Sequence, residues 1–264
     1  MAVTQPPNHI DLERLDDRAV RRMLHLIWAC EAILVFFAVP WIATRNLGLG
    51  HRGYLALHAV VSVLFLMAFV ATAEPDLSVL RKRWKQSVVL GLFVGATISV
   101  LVVLLVEPTQ GVSGWSLALA VAGRGVGLGL LSATVLIGVP TIVARELTLD
   151  APPRVRWLAR GVLTAVLVTA TLVAHDLGFE QYETGDARPD QAASVASAIP
   201  AIVTGNPAGA VVAHVAWHVT TTVHAFETEV LVPPAVVIDR DYRPPGLFLP
   251  PELSDLGIRL VGYS

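Results

Sequence analysis

Charged residues are scarce in this chain, and cysteine is nearly absent. Only 15% of the 264 residues are charged, whereas a typical soluble domain carries about 25%. The net charge of −2 offers no basic excess for binding nucleic acid. A single cysteine, Cys30, excludes an intramolecular disulfide. Residues 1–20 are polar and lack the short apolar core and small-residue cleavage site of a secretory signal peptide.

Hydrophobic residues make up 54% of the chain and are gathered into long runs. Five runs are predominantly apolar over roughly 18 or more residues, enough to cross the hydrocarbon core as a helix. A sixth apolar region, 192–226, is interrupted at 204–207 by Thr-Gly-Asn-Pro. It is either one long broken helix or a short helix followed by a full one. We therefore predict an all-α, polytopic transmembrane helix bundle with six or seven spans. The five runs cover approximately 23–43, 54–73, 87–106, 115–139 and 157–174.

The chain divides into three parts by composition. Residues 1–20 form a polar N-terminal segment, 21–227 a transmembrane helical domain, and 228–264 a proline-rich tail. The prolines predict that the tail is extended and does not span the membrane. The lipid bilayer is the expected partner of the helical domain, and the tail is the candidate site for a protein partner. Nothing in the chain points to nucleic acid as a partner.

The basic residues lie in alternate loops. Arg21 and Arg22, the cluster 81–85 and the stretch 145–160 are basic, whereas the loop 180–190 is acidic. Loops rich in lysine and arginine stay in the cytoplasm. We therefore expect a multi-pass protein of the cell membrane whose N-terminus is cytoplasmic. The region 192–226 leaves the side of the C-terminus open.

A glycine-rich segment lies within the fourth run. Gly123 and Gly127 form one small-xxx-small pair, and Gly125 and Gly129 form another. Such pairs let a neighbouring helix approach closely in a membrane. We therefore expect these glycines to pack against another span.

Glu31 and Arg124 are the two charges deepest in the apolar runs. Each lies roughly 14 Å from the start of its run at 1.5 Å per residue. A lone charge at that depth costs several kcal/mol, so it usually pairs with another group or lines a cavity. We predict an intramembrane ion pair between them. The alternative is that they line a path for protons or a substrate.

Histidines are the strongest functional signal in the sequence. One buried histidine is usually a satisfied core group, but several from different helices each need a polar partner. On the predicted topology, His58, His175 and His214 lie in the outer half, whereas His25 and His224 lie in the inner half. A divalent metal bound by imidazole and carboxylate groups is chemically reasonable there. The candidate metal ligands are His58, His175, His214 and His218, with Glu107 and Asp176 ending on the same side.

Two short motifs give a resemblance to a known family. The stretch 204–218 resembles the last motif of the CAAX protease and bacteriocin-processing family, in which a Thr-Gly turn precedes a helix bearing His-x-x-x-Asn. His214 matches the histidine, and His218 stands where asparagine is usual. The stretch 171–175 is similar to the family's Phe-x-x-x-His motif, with Thr171 in place of the phenylalanine and His175 matching the histidine. The resemblance implies an intramembrane endopeptidase with His175 and His214 as catalytic residues.

The family's first motif, Glu-Glu-x-x-x-Arg, is missing. The nearest candidate, Glu146, stands at the opposite end of the fifth span from His175. A 19-residue helix of that kind is about 28 Å long, and a glutamate that activates water must lie within hydrogen-bond reach of the site. Glu107 and Asp176 are therefore the better candidates for the catalytic carboxylate.

Three hypotheses for the function remain open. The first is a divergent, active or silent, relative of the CAAX-type intramembrane proteases. The second is a haem- or metal-binding membrane subunit of an electron-transfer complex, since haem b needs axial histidines from facing helices. His58 with His214, or His25 with His224, would supply them. The third is a structural or transport bundle in which the histidines are incidental.

Overall fold

The computed structural model describes residues 12–109, 113–179 and 188–226, with side chains described for all of these except 12–16, 51, 52, 188 and 189. These residues form helices joined by short turns. The predicted proline-rich tail lies outside the described residues. In chain order the helices are α1 Leu12–Trp41, continued by a π-helical turn Ile42–Asn46, α2 His51–Ala73, α3 Trp84–Leu105, α4 Gly114–Leu147, α5 Pro153–Leu177, α6 Arg188–Ser197, α7 Ile199–Thr204 and α8 Ala208–His224.

Five of these helices are long and apolar enough to cross a membrane, which confirms the all-α class and the five predicted runs. Central α4 differs from the others: 72% of its apolar window is buried, against 22–33% for the other four. The outward faces of the surrounding helices carry exposed side chains such as Phe93, Leu105 and Trp157. An apolar exterior of this kind suits a lipid environment. The spans cover Asp17–Asn46, Gly53–Ala73, Trp84–Leu105, Gly114–Leu147 and Pro153–Leu177.

Helices α3 and α8 run parallel and pack at close range. Gly91 faces Gly209, and Gly95 faces Ala213, so that the two backbones lie almost in contact. At the start of both helices, Ser87 Oγ accepts a hydrogen bond of 2.9 Å from the Gly209 amide. At their other end, the His224 ring lies 3.0 Å from the carbonyl oxygen of Val106. Small residues on both helices make this approach possible.

Helix α4 packs antiparallel against the other side of α8. Gly125 faces Val219, and Gly129 faces Val215. A Cβ at Gly123 would meet no atom within 4 Å, and one at Gly127 would meet only its own helix. Of the two glycine pairs in the sequence, Gly125 and Gly129 therefore pack as predicted, whereas Gly123 and Gly127 do not.

Basic residues lie together at one end of the bundle. Arg160 interacts electrostatically with Arg83 and Arg145, and Arg145 Nη2 donates to Asp76 Oδ2 over 2.6 Å. Hydrogen bonds from the side chain and backbone of Ser78 hold the pKa of the Asp76 carboxyl below its usual value. The predicted basic segments 81–85 and 145–160 thus lie at the same end, which we call the basic end. The opposite end, with Val106 and His224, is the far end.

The interrupted region 192–226 forms short helices followed by a full one. Helices α6 and α7 pack on α5 and α3 and lead toward the basic end. There Gly205, with a φ of +70° that glycine adopts without strain, ends α7. The Asn206 side chain binds the carbonyls of Val79, Leu80 and Lys82. Helix α8 then returns to the far end, so His224 lies there and not in the half of the bundle that holds His25.

Candidate functional site

A chain of buried hydrogen bonds crosses the bundle near the far end. Ser132 Oγ lies 3.3 Å from His58 Nε2, and His58 Nδ1 lies 3.3 Å from the Tyr54 hydroxyl. That hydroxyl lies 3.0 Å from His175 Nε2, and His175 Nδ1 lies 3.3 Å from Asp176 Oδ1. All five side chains are buried. These hydrogen bonds link α4, α2 and α5.

The Asp176 carboxyl gives these hydrogen bonds a direction, because its Oδ1 is the partner of His175 Nδ1. A carboxylate only accepts hydrogen bonds, so His175 carries its proton on Nδ1 and accepts at Nε2. The Tyr54 hydroxyl therefore donates to His175 and accepts from Nδ1 of His58. The remaining nitrogen of His58 accepts from Ser132. Each donor thus points toward Asp176, and every hydrogen bond in the series has one donor and one acceptor.

A second set of polar side chains is centred on α8. The Trp217 indole donates to His214 Nδ1 over 3.3 Å, which places the His214 proton on Nε2. His214 Nε2 lies 3.1 Å from His218 Nε2, so the His218 proton is on Nδ1. Ser197 Oγ of α6 lies 3.1 Å from His214 Nδ1. The two histidines are four positions apart in the sequence, and this spacing puts them on one helix face.

The two sets lie close to each other. His175 interacts electrostatically with both His214 and His218, and Asp176 interacts with Asp190 of α6. Both carboxyl side chains are buried. We call these residues the histidine cluster: Tyr54, His58, Ser132, His175, Asp176, Asp190, Ser197, His214, Trp217 and His218.

Several buried polar atoms of the cluster keep hydrogen-bonding capacity. Among the described residues, Asp176 Oδ2, Asp190 Oδ1 and His218 Nδ1 have no hydrogen-bond partner. Buried polar groups are normally paired, and exceptions concentrate at functional sites. The cluster therefore combines free acceptors on α5 and α6 with a donor on α8, His218 Nδ1, that lies near the backbone of Arg124. Such a set can hold and polarise a small polar group or a water.

Central α4 has an irregular backbone where it borders the cluster. It adopts π-helical geometry over Val121–Leu128 and again over Ala133–Gly138, on either side of Ser132. Segments of π-helix occur frequently at functional sites because they re-aim side chains. Here the first segment carries Arg124, and the second begins one residue after Ser132.

The four predicted metal ligands lie as two pairs, His58 with His175 and His214 with His218, whose ring centroids are 5.8 Å and 4.6 Å apart. Within the ranges that the structure describes, no three His, Cys, Asp or Glu residues are placed to hold a metal ion. The hydrogen-bond chain explains this, because both ring nitrogens of His58 are already engaged. The four predicted ligands contribute instead to the histidine cluster: His58, His175, His214 and His218.

The predicted haem ligands are not arranged as facing pairs. His58 and His214 each use both ring nitrogens for contacts to other side chains. His25 contacts the backbone of Arg21, whereas His224 lies at the far end against Val106. The expected inner pair is therefore wrong, because α8 runs toward the far end.

Two of the predicted charged residues lie outside the cluster. Glu107 is exposed beyond the end of α3, whereas Asp176 is buried beside His175, so only Asp176 fits as the cluster's carboxylate. Glu146 lines a groove at the basic end with Arg22 and Asp150. The structure thus separates Glu146 from the histidines, as its position in the sequence predicted.

The predicted ion pair between Glu31 and Arg124 does not form. Glu31 is exposed on α1, whereas Arg124 is buried on α4 with only 3% of its surface accessible. Arg124 Nη1 donates to the Phe226 carbonyl over 2.6 Å, and the Phe226 ring stacks 5.1 Å from the guanidinium. Equal depth in the membrane did not imply that the two side chains face each other.

Several members of the cluster were not predicted. Tyr54 stands four residues before His58, and this helical spacing was a usable signal in the sequence. Asp190 was assigned only to an acidic loop, and nothing local distinguishes Ser132 or Ser197 from other serines. Their roles come from the packing of α4 and α6 against the histidines.

No protein-family model, curated protein or solved structure matches the chain. By the length and composition of its helices the chain is a polytopic membrane protein, and it holds a buried cluster of histidines and carboxylates.

Proposed function

We propose that the chain is an intramembrane hydrolase, a divergent relative of the CAAX-type endopeptidases. The observation that carries this proposal is the pairing of His175 with Asp176, close to His214 and His218. The two histidines expected from the family resemblance come from α5 and α8, and a buried carboxylate stands beside them. Asp176 would take the part of the missing glutamate motif.

Peptide hydrolysis at this site would use the free atoms of the cluster. Asp176 Oδ2 would accept a proton from water, and the water oxygen would attack the carbonyl carbon of the peptide bond. The donor at His218 Nδ1 would stabilise the negative charge that develops on the carbonyl oxygen. The proton on Asp176 would then pass to the leaving amine as the C–N bond breaks. His175 would hold the carboxylate in place, and the Tyr54 hydroxyl would donate to His175 Nε2.

We further infer seven crossings of the membrane, since α6 with α7 and then α8 each connect the two ends of the bundle. The basic end would face the cytoplasm, as would the N-terminus, because basic loops are retained there. The far end and His224 would then face outward. A cysteine placed at exposed Lys82 should react with an impermeant reagent only after cells are opened, and labelling of intact cells would contradict this orientation.

Replacement of Asp176 by asparagine should abolish hydrolysis. A general base contributes about 100-fold or more to the rate, and asparagine keeps the size of the side chain but cannot take the proton. The measurement is cleavage of quenched fluorescent peptides with an apolar segment by the purified protein in phosphatidylcholine vesicles. Glu107→Gln is the matched control, because it neutralises an exposed carboxylate outside the cluster.

The two variants give distinguishable outcomes. The proposal expects loss of cleavage in Asp176→Asn and parental cleavage in Glu107→Gln. Equal activity of parent and Asp176→Asn would contradict it. A parent that cleaves none of the peptides would favour a structural or transport bundle.

A further inference from the structure

Four arginine side chains converge at the basic end of the bundle, around Arg160. The arginines that interact electrostatically with Arg160 are Arg83, Arg145 and Arg156. Two carboxylates offset part of this charge, since Asp76 pairs with Arg145 and Glu146 interacts with Arg160. The group therefore keeps an excess of positive charge. Within the described ranges, Arg83, Arg156 and Arg160 form no ion pair with a carboxylate.

The turn between α7 and α8 brings two of these arginines together. A Cβ at Gly205 would lie 3.3 Å from Arg160 Nη1, so the guanidinium lies against this turn. The next residue, Asn206, binds the carbonyl of Lys82. Arg83 follows with a φ of +54° and starts α3. Non-glycine residues rarely adopt this left-handed conformation. Arg83 and Arg160 thus lie near the same turn, although 77 positions separate them in the sequence.

Arg160 keeps an unused hydrogen-bond donor. Its Nε is buried and has no hydrogen-bond partner among the described residues. Arg156 lies four positions earlier, on the same face of α5. The Arg156 Nε donates to the Ala151 carbonyl over 3.0 Å, which uses one of the five N–H donors of its guanidinium. Arginine donates to phosphate oxygens through parallel N–H groups, so this pair of side chains suits a phosphate.

Tryptophans place these arginines at the level of the lipid headgroups. Trp84 directly follows Arg83, Trp157 directly follows Arg156, and both indole rings are exposed. Tryptophan is enriched where the membrane meets water. The exposed side chains that continue from the arginines along α5 and at the end of α7 are apolar: Leu158, Val162 and Val203. A surface of this kind can carry the acyl chains of a bound lipid.

We propose that Arg83, Arg156 and Arg160 bind the phosphate of an anionic phospholipid, whose acyl chains lie along α5 and α7. A zwitterionic lipid carries the same phosphate, but the excess of positive charge would repel its ammonium group. Phosphatidylglycerol should therefore bind in preference to phosphatidylcholine. This proposal is independent of the proposed hydrolase, because none of these arginines belongs to the histidine cluster.

The test is native mass spectrometry of the full chain in detergent with equal amounts of phosphatidylglycerol and phosphatidylcholine. The parent should retain phosphatidylglycerol about tenfold more strongly, because arginines near the membrane surface attract anionic headgroups. Arg160→Gln should lower this preference about fivefold. Arg160→Lys should keep part of it, since the charge remains but the planar fork is lost. Arg154→Gln is the matched control: it removes an exposed arginine from the start of the same helix and should keep the preference.

The controls separate a defined site from a general attraction to basic residues. An equal loss in Arg154→Gln and Arg160→Gln would overturn the proposal, as would equal retention of both lipids by the parent. If circular dichroism shows that Arg160→Gln does not fold, Arg156→Gln is the second variant, and an undiminished preference in it would also overturn the proposal. Glycerophosphoglycerol, the headgroup without acyl chains, should not displace the lipid at equal concentration. Displacement would assign the site to a soluble phosphate ester and contradict its assignment to a lipid.

Discussion

Replacing Gly91 with leucine should prevent the chain from folding into its native bundle. A Cβ at Gly91 would overlap the backbone of Gly209, and a Cβ at Gly209 would overlap the backbone of Ser87. Overpacking in a core costs about 1–3 kcal/mol when side chains can adjust. Here the obstacle is backbone, so α3 and α8 would have to separate along their length. That separation would expose buried Trp217 and break the bond between Ser87 and Gly209.

The fourth run supplies a matched control for this substitution. Gly123→Leu changes the same residue type in a long apolar helix, but a Cβ there meets no atom within 4 Å. Size-exclusion chromatography in detergent should give a monodisperse peak for Gly123→Leu and aggregate for Gly91→Leu. A monodisperse Gly91→Leu with the parental melting temperature would contradict the close packing of α3 and α8.

Replacing Asn206 with alanine should cause the largest loss of stability among the polar substitutions considered for this chain. The side chain is fully buried, and its Nδ2 donates to the carbonyls of Val79, Leu80 and Lys82 over 2.8–3.0 Å. Its Oδ1 accepts from the Ala208 amide over 2.8 Å. An average hydrogen bond contributes about 1 kcal/mol, and a buried group left unpaired costs about 1–3 kcal/mol. We expect a loss of about 3 kcal/mol in the free energy of unfolding.

Asn206→Asp tests whether the N–H donors of this side chain contribute more to stability than its acceptor oxygen. Aspartate keeps the acceptor for the Ala208 amide but places a negative charge among three carbonyl oxygens. It should therefore be at least as destabilising as alanine. Thermal unfolding in detergent, followed by circular dichroism, measures both variants. An Asn206→Asp variant as stable as the parent would show that the carbonyls are not bound by the side chain.

This role of Asn206 explains part of the motif that suggested the family resemblance. Gly205 supplies the left-handed turn, and Asn206 fastens the start of α8 to the α2–α3 connection. The motif therefore fixes the position of His214 and His218 along the axis of the bundle. It has this structural role whether or not the two histidines take part in catalysis.

The features that were predicted correctly from the sequence depend on hydropathy along the chain. The five long runs became five long helices, because apolar length alone decides whether a helix can span the membrane. Asp176, like Glu107, is a candidate because the topology places it on the same side of the membrane as His175 and His214. These features can be predicted without knowing how the helices pack.

The predictions that were wrong depend on how each helix is rotated about its own axis and on which helices are in contact. Glu31 and Arg124 have equal depth, but depth does not say which way a side chain faces around the helix axis. The close packing at Gly91 and Gly95 is a small-xxx-small pair, yet its partner on α8 is distant in sequence. His224 was placed in the wrong half because the broken region 192–226 reverses direction, which hydropathy does not reveal.

Side chains from α2 and α5 join in one buried hydrogen-bonded network. Tyr54 and His175 are the contact between those helices, with 3.0 Å between the hydroxyl and Nε2. The most direct test is a double-mutant cycle of Tyr54→Phe and His175→Ala on the free energy of unfolding in detergent. We predict a coupling of about 1 kcal/mol or more, since residues in one buried network are not independent. Strict additivity of the two substitutions would contradict the network.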